Sequence, residues 1–256
     1  MRFDDFDRKM RVYEENLDQY ILPDMFIVAR LDGRSFTRLT KEKLDLERPF
    51  DIKFRDMMVK TAKYVMSCGF RIVYAYTESD EISLLFHPDD NTFGRKVRKL
   101  NTTLAGEASA VFSLEAGMPA TFDCRIVPLP NIERVYDYFL WRQEDSHRNS
   151  LNAWCYWTLR GDGKTKNEAT EVLSAKSVAF KNELLFSYGI NYNDLPAWQR
   201  RGIGIWGKQT EKDGFNPITN ESVTALRNEL TAEYELPLGE DYRKLIKQIL
   251  EEAAKK

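Results

Sequence analysis

Three carboxylates at two separate points of the chain have the type and spacing for metal chemistry. Asp32 ends the apolar run MFIVARL and is followed at once by Gly33 and Arg34. Asp80 and Glu81 lie in TESDE, a short connection between two further apolar runs. Carboxylates brought face to face repel unless a cation lies between them, and a hard divalent ion held by oxygens is the usual solution. Two such ions would activate an attacking hydroxyl and stabilise a leaving phosphate oxygen. Gly33 suits such a site, because a residue without Cβ lets its backbone come close to an ion or a phosphate. Taken alone, DGR and SDE are ordinary turn sequences. Their meaning therefore depends on whether the fold brings them together.

The order of elements says that it does. Residues 4–18 have helical spacing, 25–31 read as a strand, and FDIKFRDMMVKTAKYVMSCG reads as a helix capped by Asp51 and stopped at Gly69. FRIVYAY (70–76) and ISLLFH (82–87) are strands joined only by TESDE. A helix over roughly 92–115 presents Leu100, Leu104, Ala108 and Val111 on one side, and TFDCRIVPL (121–129) is a fourth strand. The sum is βαββαβ, a ferredoxin-like α+β sheet of the kind used as a polymerase or cyclase palm. In that topology the third strand lies between the first and second and runs opposite to both. Asp32 then shares one sheet edge with Asp80 and Glu81.

The palm is expected over residues 1–135, followed by a mainly helical region, 136–256, that completes the site. In that region Trp141, Trp154, Tyr156 and Trp157 have the helical spacing of core and subunit packing. RRGIGIWGKQTEKDGFNPIT (200–219) reads as a hairpin with a glycine-containing turn, and the last segment as an amphipathic helix. A chain of 256 residues with 43% hydrophobic and 30% charged content matches an ordinary soluble globular protein. A formal net charge of -2 argues against a broadly cationic nucleic-acid coat, so any polyanion site is local. The three cysteines, far apart and with only two histidines, offer neither a disulfide framework nor a zinc site. No signal peptide or membrane span is read, and a cytoplasmic protein is expected.

The segments LDGRSF, ERPFD, AYTESDEISLLF, FDCRIVPLP, DYFLWRQEDSHRNSLN, FKNELLF and GINYNDLPAWQRRGIGIW resemble, in colinear order over about residues 4–207, the motifs of the tRNA(His) guanylyltransferases and their bacterial and archaeal relatives, the 3′-to-5′ polymerases. The resemblance implies that ATP adenylylates a tRNA 5′-monophosphate. The 3′-hydroxyl of GTP or another nucleoside triphosphate then attacks the activated end. It further implies two Mg²⁺ ions held by Asp32, the Gly33 carbonyl and Asp80, with Glu81 close by as a third catalytic acid. Nucleotide contacts are implied at Gly33, Arg34, Ser35 and Phe36 of the loop after the first strand, and at Arg48, Ser79, Arg95, Lys96, Lys99, Arg125, His147, Lys181 and Asn182. Arg48 stands where the family often has lysine, and a homotetramer is expected. Where eukaryotic guanylyltransferases carry HINNLYN, this chain reads HRNSLNA (147–153), which keeps His147, Asn149 and Leu151 but lacks the second asparagine and the tyrosine. That departure points to template-dependent repair of tRNA 5′ ends, with a dedicated tRNA(His) guanylyltransferase as the alternative and a nucleotide cyclase as a more distant one. A non-catalytic RNA-binding module would have no chemical reason to pair the acids.

Overall fold

The computed structural model describes residues 2–216 and 221–255; the side chains of 212–216 and 221–226 are not described. The elements run α1 (Phe3–Glu15), β1 (Phe26–Gly33), the single turn α2 (Phe36–Arg38), α3 (Ile52–Met66), β2 (Ile72–Glu78), β3 (Glu81–Phe86), α4 (Val97–Ala116) and β4 (Phe122–Leu129). They continue with the long α5 (Ile132–Gly161), α6 (Lys166–Leu173), α7 (Val178–Ser187), the short α8 (Ala197–Arg201), β5 (Ile203–Asn216), β6 (Glu221–Glu233) and α9 (Gly239–Ala253). The strands form one antiparallel sheet in the order β4-β1-β3-β2-β5-β6. Its first four strands are the expected ferredoxin-like palm. The sheet is continued off β2 by strands from the second half of the chain.

Alternation along the strands assigns two packed faces. Ile27, Ala29 and Leu31 of β1, with Ile82 and Leu84 of β3, pack beneath α3 and α4. Val28, Tyr74, Tyr76 and Leu85 point the other way, into a second core closed by α5 and α9. Asp51 caps α3 as expected, accepting from the amides of Lys53 at 2.6 Å and Phe54 at 3.0 Å. A third apolar cluster, including Leu151, Cys155, Leu173 and Leu185, joins the C-terminal half of α5 to α6 and α7.

Several expected boundaries move. β1 runs on through Asp32 and Gly33, so both are paired strand residues rather than the loop after it. The connection between β2 and β3 shrinks to Ser79 and Asp80. The helix expected over 92–115 is broken: Thr92–Arg95 is a short turn with Phe93 at φ 55° and Gly94 at φ 58°, Lys96 is extended, and α4 begins only at Val97. Its buried face ends on Phe112 instead of Val111. The segment expected to fold back as a hairpin within 200–219 is instead one strand, β5, with Gly214 opposite Val223 of β6; the connection at 217–220 lies outside the described residues. Among the described residues no helix is long and apolar enough to cross a membrane.

Gly33 is required by packing. A Cβ there would lie 2.5 Å from the ring of Phe36, which is 2% exposed and packs against Phe54, Phe112 and Phe122. Gly33→Ala is expected to push that ring out of its cluster and cost about 1–3 kcal/mol, the range for overpacking. Chemical denaturation measures it, and unchanged stability would show that the ring has room to move.

Candidate active site

The sheet register brings the acids together. Asp32 pairs with Glu81 across β1 and β3, and the Gly33 amide donates to the Asp80 carbonyl at 3.0 Å. Ser79 takes a left-handed conformation, φ 47°, at the tip of the two-residue turn, and its hydroxyl donates to the Asp80 carboxylate at 3.0 Å. A non-glycine residue there is held against a backbone preference of about 1–2 kcal/mol. Such strain clusters at functional turns. Burial pushes the Asp80 carboxyl up; the Ser79 bond works against this, and the charge of Asp32 adds to it. Among the described residues neither Asp32 nor Asp80 makes an ion pair. The two acids thus lie close together with no protein cation between them.

Glu81 differs. Its carboxylate accepts from Arg142 of α5 at 2.8 Å, and the same guanidinium nitrogen reaches Glu78 at 3.0 Å and Asp145 at 2.9 Å. Burial pushes Glu81 up against the pull of Arg142 and Arg30. Glu78 is pushed up to about 8 by burial, with Arg142 and a hydrogen bond from Ser146 opposing and the charges of Glu81 and Asp145 reinforcing. Three acids around one buried cation leave excess negative charge, which is consistent with a proton on Glu78.

A cavity of about 370 Å³ opens beside this turn. Its walls combine Glu78, Ser79, Asp80 and Glu81 with Arg48, Arg55, Asn149, Ser150 and Trp198. Arg55 is fixed by stacking between Trp198, 5.0 Å from the ring centroid, and Tyr234, at 4.8 Å. Acids on one side and guanidinium groups on the other suit a ligand that is polyanionic and carries its own cations.

Of the residues expected at the site, Arg48, Ser79, Asp80 and Glu81 line this cavity, with Asp32 and Gly33 next to the turn. Arg34 and Ser35 are exposed just beyond β1, whereas the Phe36 ring is buried and offers a ligand no side-chain contact. Arg125 is exposed on the edge strand β4, opposite Arg30. His147 packs edge-on against Tyr192 with ring centroids 5.2 Å apart, and burial followed by the charges of Arg200 and Arg201 lowers its pKa. Lys181 and Asn182 lie half-buried on α7, away from the cavity wall.

The basic run sits at the far end of the sheet. Arg95 donates to the Met25 carbonyl, ahead of β1, and seven strand residues put that end about 23 Å from Asp32. Lys96 and Arg98 hold the buried Asp18 at 2.6 and 2.5 Å, and Lys99 lies over the ring of Phe93. Two of its four charges are thereby committed within the protein. Among the described residues no three Asp, Glu, His or Cys side chains converge as a ready-made metal cage. The expected ligand set needs only two carboxylates and a main-chain carbonyl, and a Mg²⁺ ion usually keeps several waters. The unpaired Asp32 and Asp80 fit that requirement.

A family model described as tRNAHis guanylyltransferase matches residues 7–130, and one described as Thg1 C terminal domain matches 133–242. The chain belongs to the tRNA(His) guanylyltransferase family. Members of this family are nucleotidyltransferases. A probable tRNA(His) guanylyltransferase of Dictyostelium discoideum is 37% identical over 203 residues, 75% of this chain and 79% of its own length. The Bos taurus relative is 37% identical over 206 residues, 76% and 69%. Among solved structures, a bacterial tRNA(His) guanylyltransferase (Thg1)-like protein in complex with ATP superposes with a TM-score of 0.75 at 27% identity, covering 96% of this chain and 99% of that one. The tRNA(His) guanylyltransferase of Saccharomyces cerevisiae gives 0.69 at 27%, covering 84% and 95%.

Within this guanylyltransferase fold, the sequence reading missed Arg142 and Arg55. Arg142 lies in WRQED, where an arginine among acids on a long helix reads as a solvated cation; its i,i+3 partner Asp145 was the available signal. Arg55 follows the α3 cap by four residues, and its aromatic partners come from α8 and the segment after β6.

Proposed function

We propose that this chain extends tRNA 5′ ends in the 3′-to-5′ direction, selecting each nucleotide by its pairing with the opposing strand. The observation that carries this reading is the unpaired Asp80 in the wall of a cavity that also holds Arg48 and Arg55, with the unpaired Asp32 on the neighbouring strand. Asp32, Asp80 and the Gly33 carbonyl would hold divalent cations. When bound, these supply charge neutralisation at the attacking and leaving oxygens and lower the pKa of the attacking hydroxyl. Arg48 and Arg55 face the phosphates as charge-assisted donors. Ser79 fixes the Asp80 carboxylate, and Arg142 holds the hairpin that carries it. The tRNA 5′-monophosphate first attacks the α-phosphorus of ATP, giving an adenylylated end as pyrophosphate leaves. The 3′-hydroxyl of the incoming nucleotide then attacks that phosphorus, forming the new phosphodiester as AMP leaves. The complexes of the bacterial Thg1-like protein with ATP and with GTP, each spanning 96% of this chain, support nucleotide binding here.

Repair is favoured over a dedicated guanylyltransferase by HRNSLNA: Ser150 and Ala153, both in the altered segment, are cavity-wall residues. If pairing selects the base, the protein holds phosphate and ribose through contacts that carry no sequence information. A tRNA lacking its first 5′ nucleotide is therefore repaired whatever its identity. Changing the opposing base from C to A switches incorporation from G to U. Sequencing the extended 5′ end reads the result; G in both cases, or extension of tRNA(His) alone, restores the dedicated guanylyltransferase named for the curated relatives. The proposal includes a homotetramer, supported by the exposed stripe of Phe3, Phe6, Met10, Tyr13 and Leu17 along and just beyond α1, and light scattering measures it.

A further inference from the structure

The surface beside the cavity carries a cluster that shares only Arg48 with the site described above. Tyr156 and Trp157 of α5 meet edge to face with centroids 5.3 Å apart. The sequence reading assigned both to packing. Tyr156 does pack against the α5–α7 core, but Trp157 is half-buried and belongs to none of the three apolar clusters of described residues. Cations surround the pair instead. Lys41 Nζ lies 5.8 Å from the Tyr156 centroid and 6.0 Å from that of Trp157, the Arg48 guanidinium lies 5.2 Å from Trp157, and Arg160 lies 6.0 Å from Tyr156. None of the three cations makes an ion pair with a described residue.

We infer that this cluster is a stacking and phosphate-binding platform for single-stranded RNA, occupied by the unpaired 3′-terminal nucleotides of the tRNA. The inference rests on the proposed action at tRNA 5′ ends. Aromatic faces interleaved with unneutralised cations are the chemistry that holds single strands: rings stack bases and cations meet the backbone. Lys41 is exposed on a flexible stem, so it can leave the rings for a phosphate while a base takes its place. Position selects the 3′ end as occupant. Arg48 belongs both to the cavity wall and to the platform, and Ala153 of that wall lies one helical turn before Trp157. The single strand nearest a 5′ end held in the cavity is the unpaired extension of the strand opposite it. Holding that extension aside would leave the last template base free to pair with an incoming nucleotide.

The test measures binding of a tRNA with and without its unpaired 3′ nucleotides to the wild type, to Trp157→Leu and to Lys41→Ala/Arg160→Ala. Trimming is expected to weaken wild-type binding about tenfold, in the range of one stacked base. Trp157→Leu should bind the intact tRNA about as weakly as the wild type binds the trimmed one, and trimming should then cost nothing further. Lys41→Ala/Arg160→Ala, which alters only exposed side chains, should lower the slope of log affinity against log salt by about 1.4 for two single-strand phosphates; it carries the test if Trp157→Leu unfolds. Equal wild-type affinity for the two RNAs with 5′ addition intact, or an unchanged salt slope in the double variant, overturns the platform and leaves the proposed function standing. Absence of 5′ addition on every tRNA overturns that function, and the platform with it.

Discussion

Asp80→Asn is expected to lower 5′ nucleotide addition by about 10²–10³-fold while the protein melts no lower than the wild type. The two effects have one cause. Burial and the neighbouring Asp32 charge push the Asp80 carboxyl up, so in the folded protein its ionised form is disfavoured. The native state holds that proton more tightly than the unfolded chain does. Stability from this group is therefore greatest below the ordinary carboxylate pKa and falls as pH rises through the higher native value. Asparagine keeps the shape without the charge, and the melting temperature of the variant should gain on the wild type as pH rises out of that range. Chemistry at phosphorus has the opposite requirement. It needs charge next to the reacting oxygens, and removing one preorganised stabilising group typically costs about 10²–10³-fold. Asp32→Asn should lower addition to a similar extent, because it removes the facing carboxylate of the same expected metal site. Both variants are followed by adenylylation and addition assays beside thermal melts at several pH values. An Asp80→Asn protein that melts lower and retains activity would make Asp80 a structural turn residue and remove the metal-site reading.

The active edge was legible because it depends on topology alone. Once the order βαββαβ is recognised, β3 must lie between β1 and β2, and the end of β1 must meet the turn that leads into β3. The observed pairing of Asp32 with Glu81 is a direct consequence. Arg48, Ser79, Asp80 and Glu81 reached the cavity for that reason or through a colinear motif. The basic run lies at the other end of the sheet because adjacency in sequence says nothing about direction. Phe93 and Gly94 turn the chain with positive φ before α4 starts, and Asp18, 78 residues before Lys96, then claims two of the cations. Arg142 was missed for the converse reason. Its three acid partners come from β2, β3 and its own helix, and only the packing of α5 across the sheet assembles them. Gly33 was read as a place for close ligand approach, whereas the space its missing Cβ leaves is filled by a phenylalanine ring three residues on.

Arg142→Met is the substitution outside the metal site with the largest expected consequence. The guanidinium is 3% exposed and answers Glu78, Glu81 and Asp145 at 2.8–3.0 Å. Methionine fills much of the same volume without charge, so the loss is mainly electrostatic. Removing one partner of a buried ion pair costs about 3–5 kcal/mol, because the charge left behind remains buried and unpaired. Here three acids are left, two of them on the strands that flank Ser79 and Asp80. Their repulsion would displace the turn, so addition should fall together with stability. That coupling separates an electrostatic hub from a merely well-packed side chain. Glu81→Gln added to Arg142→Met removes one of the repelling charges and should restore part of the lost stability, whereas in the wild-type background the same change removes a partner of Arg142. The two substitutions should therefore be strongly non-additive. Urea unfolding of the four proteins in this cycle measures the coupling. Additive effects would mean that Arg142 contributes only packing, and the integrity of the Asp80 turn would then need another source.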